Sequence, residues 1–260
     1  MNNQSFVYKG INISYTDDGT GEVLVLLHGF LETKNIWEPF ISDFTKSHRL
    51  ITIDLLGHGE TGCLGYIHTM EQMADPVIAL LENLGIKKCI ILGHSMGGYV
   101  ALAFAEKRPD FVVKLGLINS TSQEDSMERK QNRDRAILAV KDNPKRFIRM
   151  GIPNLFSPDN IEVYSKAIAH ITEEALKTPV QGIIAALEGM KIRPERSSFL
   201  TNLNRPKLMI ASKKDPVLDF KALKKEAEEA KMNLVVFPDG HMSFVENKIK
   251  FLHQIVHFIE

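Results

Sequence analysis

The sequence predicts an α/β protein: an eight-stranded, mostly parallel sheet flanked by helices, with an all-helical insertion. Three observations predict it. Short runs rich in Val, Ile and Leu alternate with segments of helical period. The runs barely alternate in polarity, as strands buried on both faces do. The alternation stops after Asn119 and resumes only at Lys207.

The first elements are two extended runs between Phe6 and Tyr15 that flank Lys9-Gly10, which predicts an N-terminal antiparallel hairpin; Asp17-Asp18-Gly19 with Gly21 then turns the chain. Further strands are predicted at Val23–Leu27, Leu50–Ile53, Cys89–Leu92, Val112–Ile118, Lys207–Ala211 and Leu234–Phe237. Helices are predicted at Ile36–Lys46, Met70–Leu84, Met96–Lys107, Phe220–Lys231 and Val245–Ile259. Thr69 and Gln72 have the spacing of a capping box before the second, and Arg108-Pro109 ends the third. The segment between Asn119 and Lys207 is too long for a loop in a compact domain, so it reads as helices lying over one end of the sheet. The expected organisation is a core of residues 1–120 and 203–260, interrupted by a helical cap at 121–202.

Composition narrows the class of function. At 260 residues, 44% hydrophobic and 25% charged, the chain buries roughly three quarters of its unfolded surface and needs no metal or disulfide to hold a core. Lys plus Arg equal Asp plus Glu at 32 each, so no bulk field attracts nucleic acid or an anionic membrane. The opening residues lack the charged and apolar regions of a signal, and no apolar run reaches the ~20 residues that span a bilayer. Cys63 and Cys89 have no metal-ligand spacing, which suits a reducing compartment. The expectation is a cytoplasmic monomer or homodimer that takes a small molecule and binds no cofactor or metal.

Ligands of open α/β sheets bind beyond the carboxyl ends of the strands. After Cys89–Leu92 comes Gly93-His94-Ser95-Met96-Gly97, then an apolar helix. This is G-x-S-x-G in a strand–turn–helix setting, where the turn is so tight that glycines must flank the strained serine. A serine hydroxyl is a weak nucleophile at neutral pH and needs a base, which needs an orienting carboxylate. Asp215 follows the strand at Lys207–Ala211 and His241 follows that at Leu234–Phe237, in the chain order such a triad requires. Val23–Leu27 runs into His28-Gly29-Phe30, so the backbone N–H groups of Phe30 and Met96 are the candidate oxyanion donors.

With these motifs the chain resembles, along its whole length, the α/β-hydrolase fold superfamily, in its serine-nucleophile branch with a helical cap. It is similar to small carboxylesterases and carbon–carbon hydrolases. The resemblance rests on His28-Gly29-Phe30, on Asp54-Leu55-Leu56-Gly57-His58-Gly59, on the elbow, on Asp215 and on Gly240-His241. Members with an aspartate nucleophile, the haloalkane dehalogenases and epoxide hydrolases, are disfavoured by Ser95. Members with the acid one strand earlier are disfavoured by Asn119, which cannot carry the charge. The lipase-type HGGG loop is replaced here by His28-Gly29-Phe30-Leu31, which argues against bulky lipid or tertiary-alcohol esters.

The expected activity is hydrolysis of small carboxylic esters through an acyl-enzyme, with Leu31, Trp37, Phe147, Phe156 and Met242 as candidate pocket residues. Because the base must be neutral, activity is expected to rise with pH as a histidine loses its proton. The alternative is carbon–carbon cleavage or lyase chemistry on a small anion, and a non-catalytic ligand receptor on the same fold stands third. Other motifs have plainer readings. Gly57-x-Gly59-x-x-Gly62 matches a dinucleotide fingerprint but is followed by a helix only near Met70. His253 and His257 mimic a zinc helix, yet Gln254 replaces the glutamate. Arg129, Arg133 and Arg135 read as a solvated helix face before they read as an anion site.

Overall fold

The computed structural model describes residues 3–260. Eight strands form one sheet: β1 (Asn3–Tyr8), β2 (Ile11–Asp18), β3 (Glu22–Leu27), β4 (His48–Ile53), β5 (Cys89–His94), β6 (Val112–Ile118), β7 (Lys207–Ser212) and β8 (Asn233–Phe237). Their spatial order is β1-β2-β4-β3-β5-β6-β7-β8. The pairs β1·β2 and β2·β4 are antiparallel, and all others are parallel. Every residue of β5 and β7 is buried, which is why those runs carry apolar side chains without alternation.

In chain order the helices are α1 (Ile41–Phe44), α2 (Met70–Asn83), α3 (Met96–Lys107), α4 (Met127–Asp142), α5 (Pro144–Gly151), α6 (Ser165–Ala175), α7 (Val180–Lys191), α8 (Ser197–Asn202), α9 (Phe220–Glu229), α10 (Ser243–Glu246) and α11 (Lys248–Ile259). The Thr69–Gln72 capping box forms in both directions at 3.1 Å. Two predicted helices are broken. Residues Lys34–Phe40 wind as a 3-10 helix containing Pro39 before the single turn of α1, because proline lacks the N–H that an α-helix interior requires. The last helix divides at Asn247, whose φ of −132° leaves the helical region.

Helices α4 to α8 lie between β6 and β7. The two ends of this insert meet, since the Arg196 N–H donates to the Ser122 carbonyl at 2.8 Å. The insert docks on the core through close backbone contact: Gly182 of α7 faces Gly57 of the loop after β4, and neither has room for a Cβ. Beside them the His68 N–H donates to the Ala185 carbonyl at 2.9 Å. Among the described residues no helix is long and apolar enough to cross a membrane.

Candidate active site

Parallel β3, β5, β6, β7 and β8 end on one edge of the sheet, which brings Phe30, Ser95, Asn119, Asp215 and His241 to the same face. Ser95 joins β5 to α3 with φ 50° and ψ −116°, a left-handed conformation costly for a side-chain-bearing residue. The elbow glycines have steric reasons. A Cβ on Gly97 would come within 2.5 Å of the Leu27 carbonyl oxygen and 2.6 Å of that of His28, and one on Gly93 would strike Gly97.

His241 and Asp215, on loops after different strands, are joined by a 2.8 Å hydrogen bond between Nδ1 and Oδ2. The ring therefore carries its proton on Nδ1, leaving Nε2 to accept one. Asp215 Oδ1 also accepts from the N–H groups of Val217 (2.8 Å) and Leu218 (3.0 Å), and Oδ2 from Asn119 Nδ2 at 3.0 Å. Burial alone would raise the Asp215 carboxyl; the His241 ring and these donors instead hold it below the usual carboxylate range. His241 is itself buried, and its N–H donates to the Leu155 carbonyl of the insert at 2.8 Å.

Two peptide groups at this edge are oriented from behind. The Gly29 carbonyl receives His28 Nδ1 at 2.7 Å and the Glu32 N–H at 3.3 Å. His28 is buried and held below its ordinary pKa mainly by desolvation, and its Nε2 accepts the Leu55 N–H at 2.9 Å, so Nδ1 is its donor. The Ser95 carbonyl receives Ser120 Oγ at 2.8 Å and the Gly98 N–H at 3.0 Å. In a trans peptide the N–H points opposite to the carbonyl. Fixing the Gly29 and Ser95 carbonyls therefore aims the Phe30 and Met96 N–H groups the other way.

The remaining predicted residues are dispersed. Leu31, φ 62°, lines a cavity of about 340 Å³ between the loop after β3 and α6, together with Ile36, Phe40, Ile171 and Phe244. Met242 is fully buried beside His241. Trp37 lies in the core, its ring 5.9 Å from Phe244 and 6.5 Å from Phe251. Phe156 is buried against Tyr164, and Phe147 borders a separate hollow with Arg146 and Met150.

Gly57–Gly62 is a loop that opens no helix, and His253 and His257 sit on α11. Arg129 and Arg133 each place Nε 3.0 Å from Asp125, which Arg193 also reaches, and Arg135 bonds Asn132. Among the described residues no cluster of three or more His, Cys, Asp or Glu is placed to hold a metal ion.

Sequence reasoning missed four residues of this site: Glu32, Ser120, Glu246 and the supporting role of Asn119. Buried Glu246 accepts from Ser157 N (2.8 Å), Asn160 Nδ2 (2.9 Å) and Gly240 N (3.0 Å), stitching the insert to the His241 loop. No local pattern marks these side chains, because each partner lies on a distant segment or is a backbone group.

The α/β-hydrolase fold profile matches residues 22–170. A thermophilic esterase from Thermogutta terrifontis superposes with a TM-score of 0.92 at 30% identity, over 100% of this chain and 98% of that one. The putative carbamate hydrolase RutD of Stutzerimonas stutzeri is 26% identical over 88% of each chain. The (E)-2-((N-methylformamido)methylene)succinate hydrolase of Acinetobacter baylyi is 31% identical, but the match spans only 40% of each chain. With the profile covering more than half of its length, this chain belongs to the α/β-hydrolase fold family.

Proposed function

We propose that this protein is a serine carboxylesterase for esters of small acyl groups. The observation that carries the reading is the 2.8 Å bond from His241 Nδ1 to Asp215, on the sheet edge where Ser95 is held at a strained elbow. Ser95 Oγ attacks the substrate carbonyl while His241 Nε2 takes its proton, and Asp215 holds the ring in the tautomer that leaves Nε2 free. The oxyanion is stabilised by the Phe30 and Met96 N–H groups, whose carbonyl partners are pinned from behind; each such donor is typically worth about 2.7–4 kcal/mol. His241 then protonates the departing alcohol. Water, deprotonated by the same ring, attacks the acyl-enzyme and releases the acid, returning the proton to Ser95.

The cap role of 121–202 is part of the proposal, supported by the Leu155 and Ser157 contacts to the His241 loop. The ester reading is favoured over an anionic carbon–carbon substrate because Arg129 and Arg133, two of the three arginines considered for an anion, are engaged by Asp125, and the third, Arg135, is exposed and bonded to Asn132. The test is hydrolysis of p-nitrophenyl esters from acetate to decanoate, a p-nitrophenyl carbamate and a vinylogous diketone, with Ser95→Ala as control. Ester turnover that falls with chain length and vanishes in the variant is expected. Turnover of the diketone alone, or ester turnover that survives in Ser95→Ala, overturns the reading.

A further inference from the structure

Glu32 and His94 form a buried pair for which the proposed chemistry has no use. Glu32 is 3% exposed and His94 1%. His94 Nδ1 lies 3.0 Å from Glu32 Oε2, and its Nε2 lies 3.1 Å from the main-chain oxygen of His241. An ionised Glu32 and the main-chain oxygen both accept, whereas a neutral imidazole has only one N–H to donate. With Glu32 ionised, the state that the His94 ring and the Gly29 N–H favour, both contacts are hydrogen bonds only when His94 is an imidazolium. Burial pushes His94 toward the neutral form, but the Glu32 carboxylate and the His241 carbonyl outweigh it and raise its pKa; burial pushes Glu32 up, and His94 with the Gly29 N–H brings it below its ordinary value.

The pair touches three separate segments. Glu32 Oε2 also accepts the Gly29 N–H at 2.5 Å, in the loop that carries Phe30. His94 is the residue before Ser95. Its other nitrogen holds the main chain of His241, which follows β8, and in the sheet β8 is separated from β5 by β6 and β7. No strand pairing can transmit the position of the elbow to the His241 loop across two intervening strands; the imidazolium does so directly. The fit is close: a Cβ on Gly29 would lie 2.8 Å from Glu32 Oε2, 3.0 Å from His94 Nδ1 and 3.1 Å from the Ser95 Cβ. The His94 ring packs 5.0 Å from Phe244 and 5.1 Å from the His241 ring.

We propose that Glu32 and His94 are a charged positioning dyad that holds the His241 main chain and the Gly29–Phe30 peptide in register with Ser95, and so sets the rate of acyl transfer rather than the binding of substrate. The inference rests on the esterase reading. Because the dyad touches no reacting atom, removing its charge is expected to change kcat and leave KM alone.

The experiment compares wild type, Glu32→Gln and Glu32→Asp. It measures p-nitrophenyl acetate kinetics, the rate of fluorophosphonate labelling, the melting temperature, and ring-15N histidine spectra near neutral pH. In wild type, one buried histidine is expected to be protonated on both nitrogens and slow to exchange. In Glu32→Gln that signature is lost and kcat falls about 10- to 100-fold, the scale of a lost bond to a charged group. KM stays within about twofold, labelling slows in proportion to kcat, and Glu32→Asp recovers part of the rate.

A neutral His94 in folded wild type overturns the dyad, and that measurement needs no variant if Glu32→Gln does not fold. A folded Glu32→Gln protein with unchanged kcat, or one whose defect is confined to KM, overturns it as well. If Ser95→Ala stays active in the same assay, the esterase reading itself has failed, whatever the spectra of His94.

Discussion

Asn119 Nδ2 and His241 Nδ1 both donate to one oxygen of Asp215, Oδ2, at 3.0 and 2.8 Å. Asn119 follows β6 and stands at φ 44°, a left-handed position that asparagine tolerates better than most residues. The same side chain also donates to Ser212 Oγ at 3.0 Å. A residue that cannot be the acid thus steadies the one proposed as the acid. Asn119→Asp keeps the shape and places a second carboxylate against Asp215, where two like charges cannot both be accommodated. Steady-state kinetics should show kcat/KM for p-nitrophenyl acetate lowered about tenfold or more at neutral pH.

The proposed oxyanion peptides can be tested without touching the reacting groups. Ser120 Oγ donates to the Ser95 carbonyl at 2.8 Å, and the Gly98 N–H remains as a second donor. Removing one neutral hydrogen bond of about 1 kcal/mol in Ser120→Ala is expected to lower kcat about 3- to 10-fold with little change in KM. An equal loss in KM would place Ser120 in substrate binding instead.

Strain at the elbow gives a prediction in which stability and activity move in opposite directions. Ser95 holds φ 50°, a conformation that costs of order 1–3 kcal/mol for a residue with a side chain. Ser95→Gly relieves it, offset in part by the greater freedom of glycine in the unfolded chain. The variant is expected to gain about 1 kcal/mol, seen as a melting temperature raised by about 2–4 °C, while kcat falls by as much as about a millionfold. Calorimetry and the ester assay on the same preparation check both halves.

Histidines that fold in their neutral form weaken the fold in acid, beside the carboxylates held below their ordinary values. His58 is lowered from 6.5 to about 3, chiefly by burial and next by neighbouring His28, 5.4 Å away. Below pH 6.5 the unfolded chain binds a proton that the folded chain refuses. Stability is therefore complete above that value and falls, by up to about 1.4 kcal/mol per pH unit from this one group, as the pH drops toward 3. Urea unfolding from pH 7 to 4 should show the slope, and His58→Phe should flatten it, since that variant cannot take up the proton in either state.

The α/β architecture was legible because its signals are local. Unalternating Val, Ile and Leu runs mark doubly covered strands, Thr69-x-x-Gln72 marks a helix start, and Gly93-x-Ser95-x-Gly97 marks a turn that only small neighbours allow. The candidate residues Ser95, Asp215 and His241 were legible for a related reason: Ser95 directly follows β5, Asp215 and His241 lie in the loops after β7 and β8, and parallel strands deliver their carboxyl ends to one edge. Helix ends were less legible where a single residue, Pro39 or Asn247, outweighed the apolar period around it.

What the sequence by itself determined is therefore the order of elements and the chemical types available at the sheet edge. Tertiary structure alone decided which polar groups support them. Glu32 and His94 are 62 positions apart, Asn119 and Asp215 are 96 apart, and Ser157 and Glu246 are 89 apart. Such pairings carry no periodicity, because they arise where loops from different strands are packed out of water and each buried donor or acceptor must find whichever partner lies within reach. The same packing placed Trp37 in the core and engaged Arg129 and Arg133 with Asp125, outcomes set by the neighbours of a side chain in space and not by its neighbours in the chain.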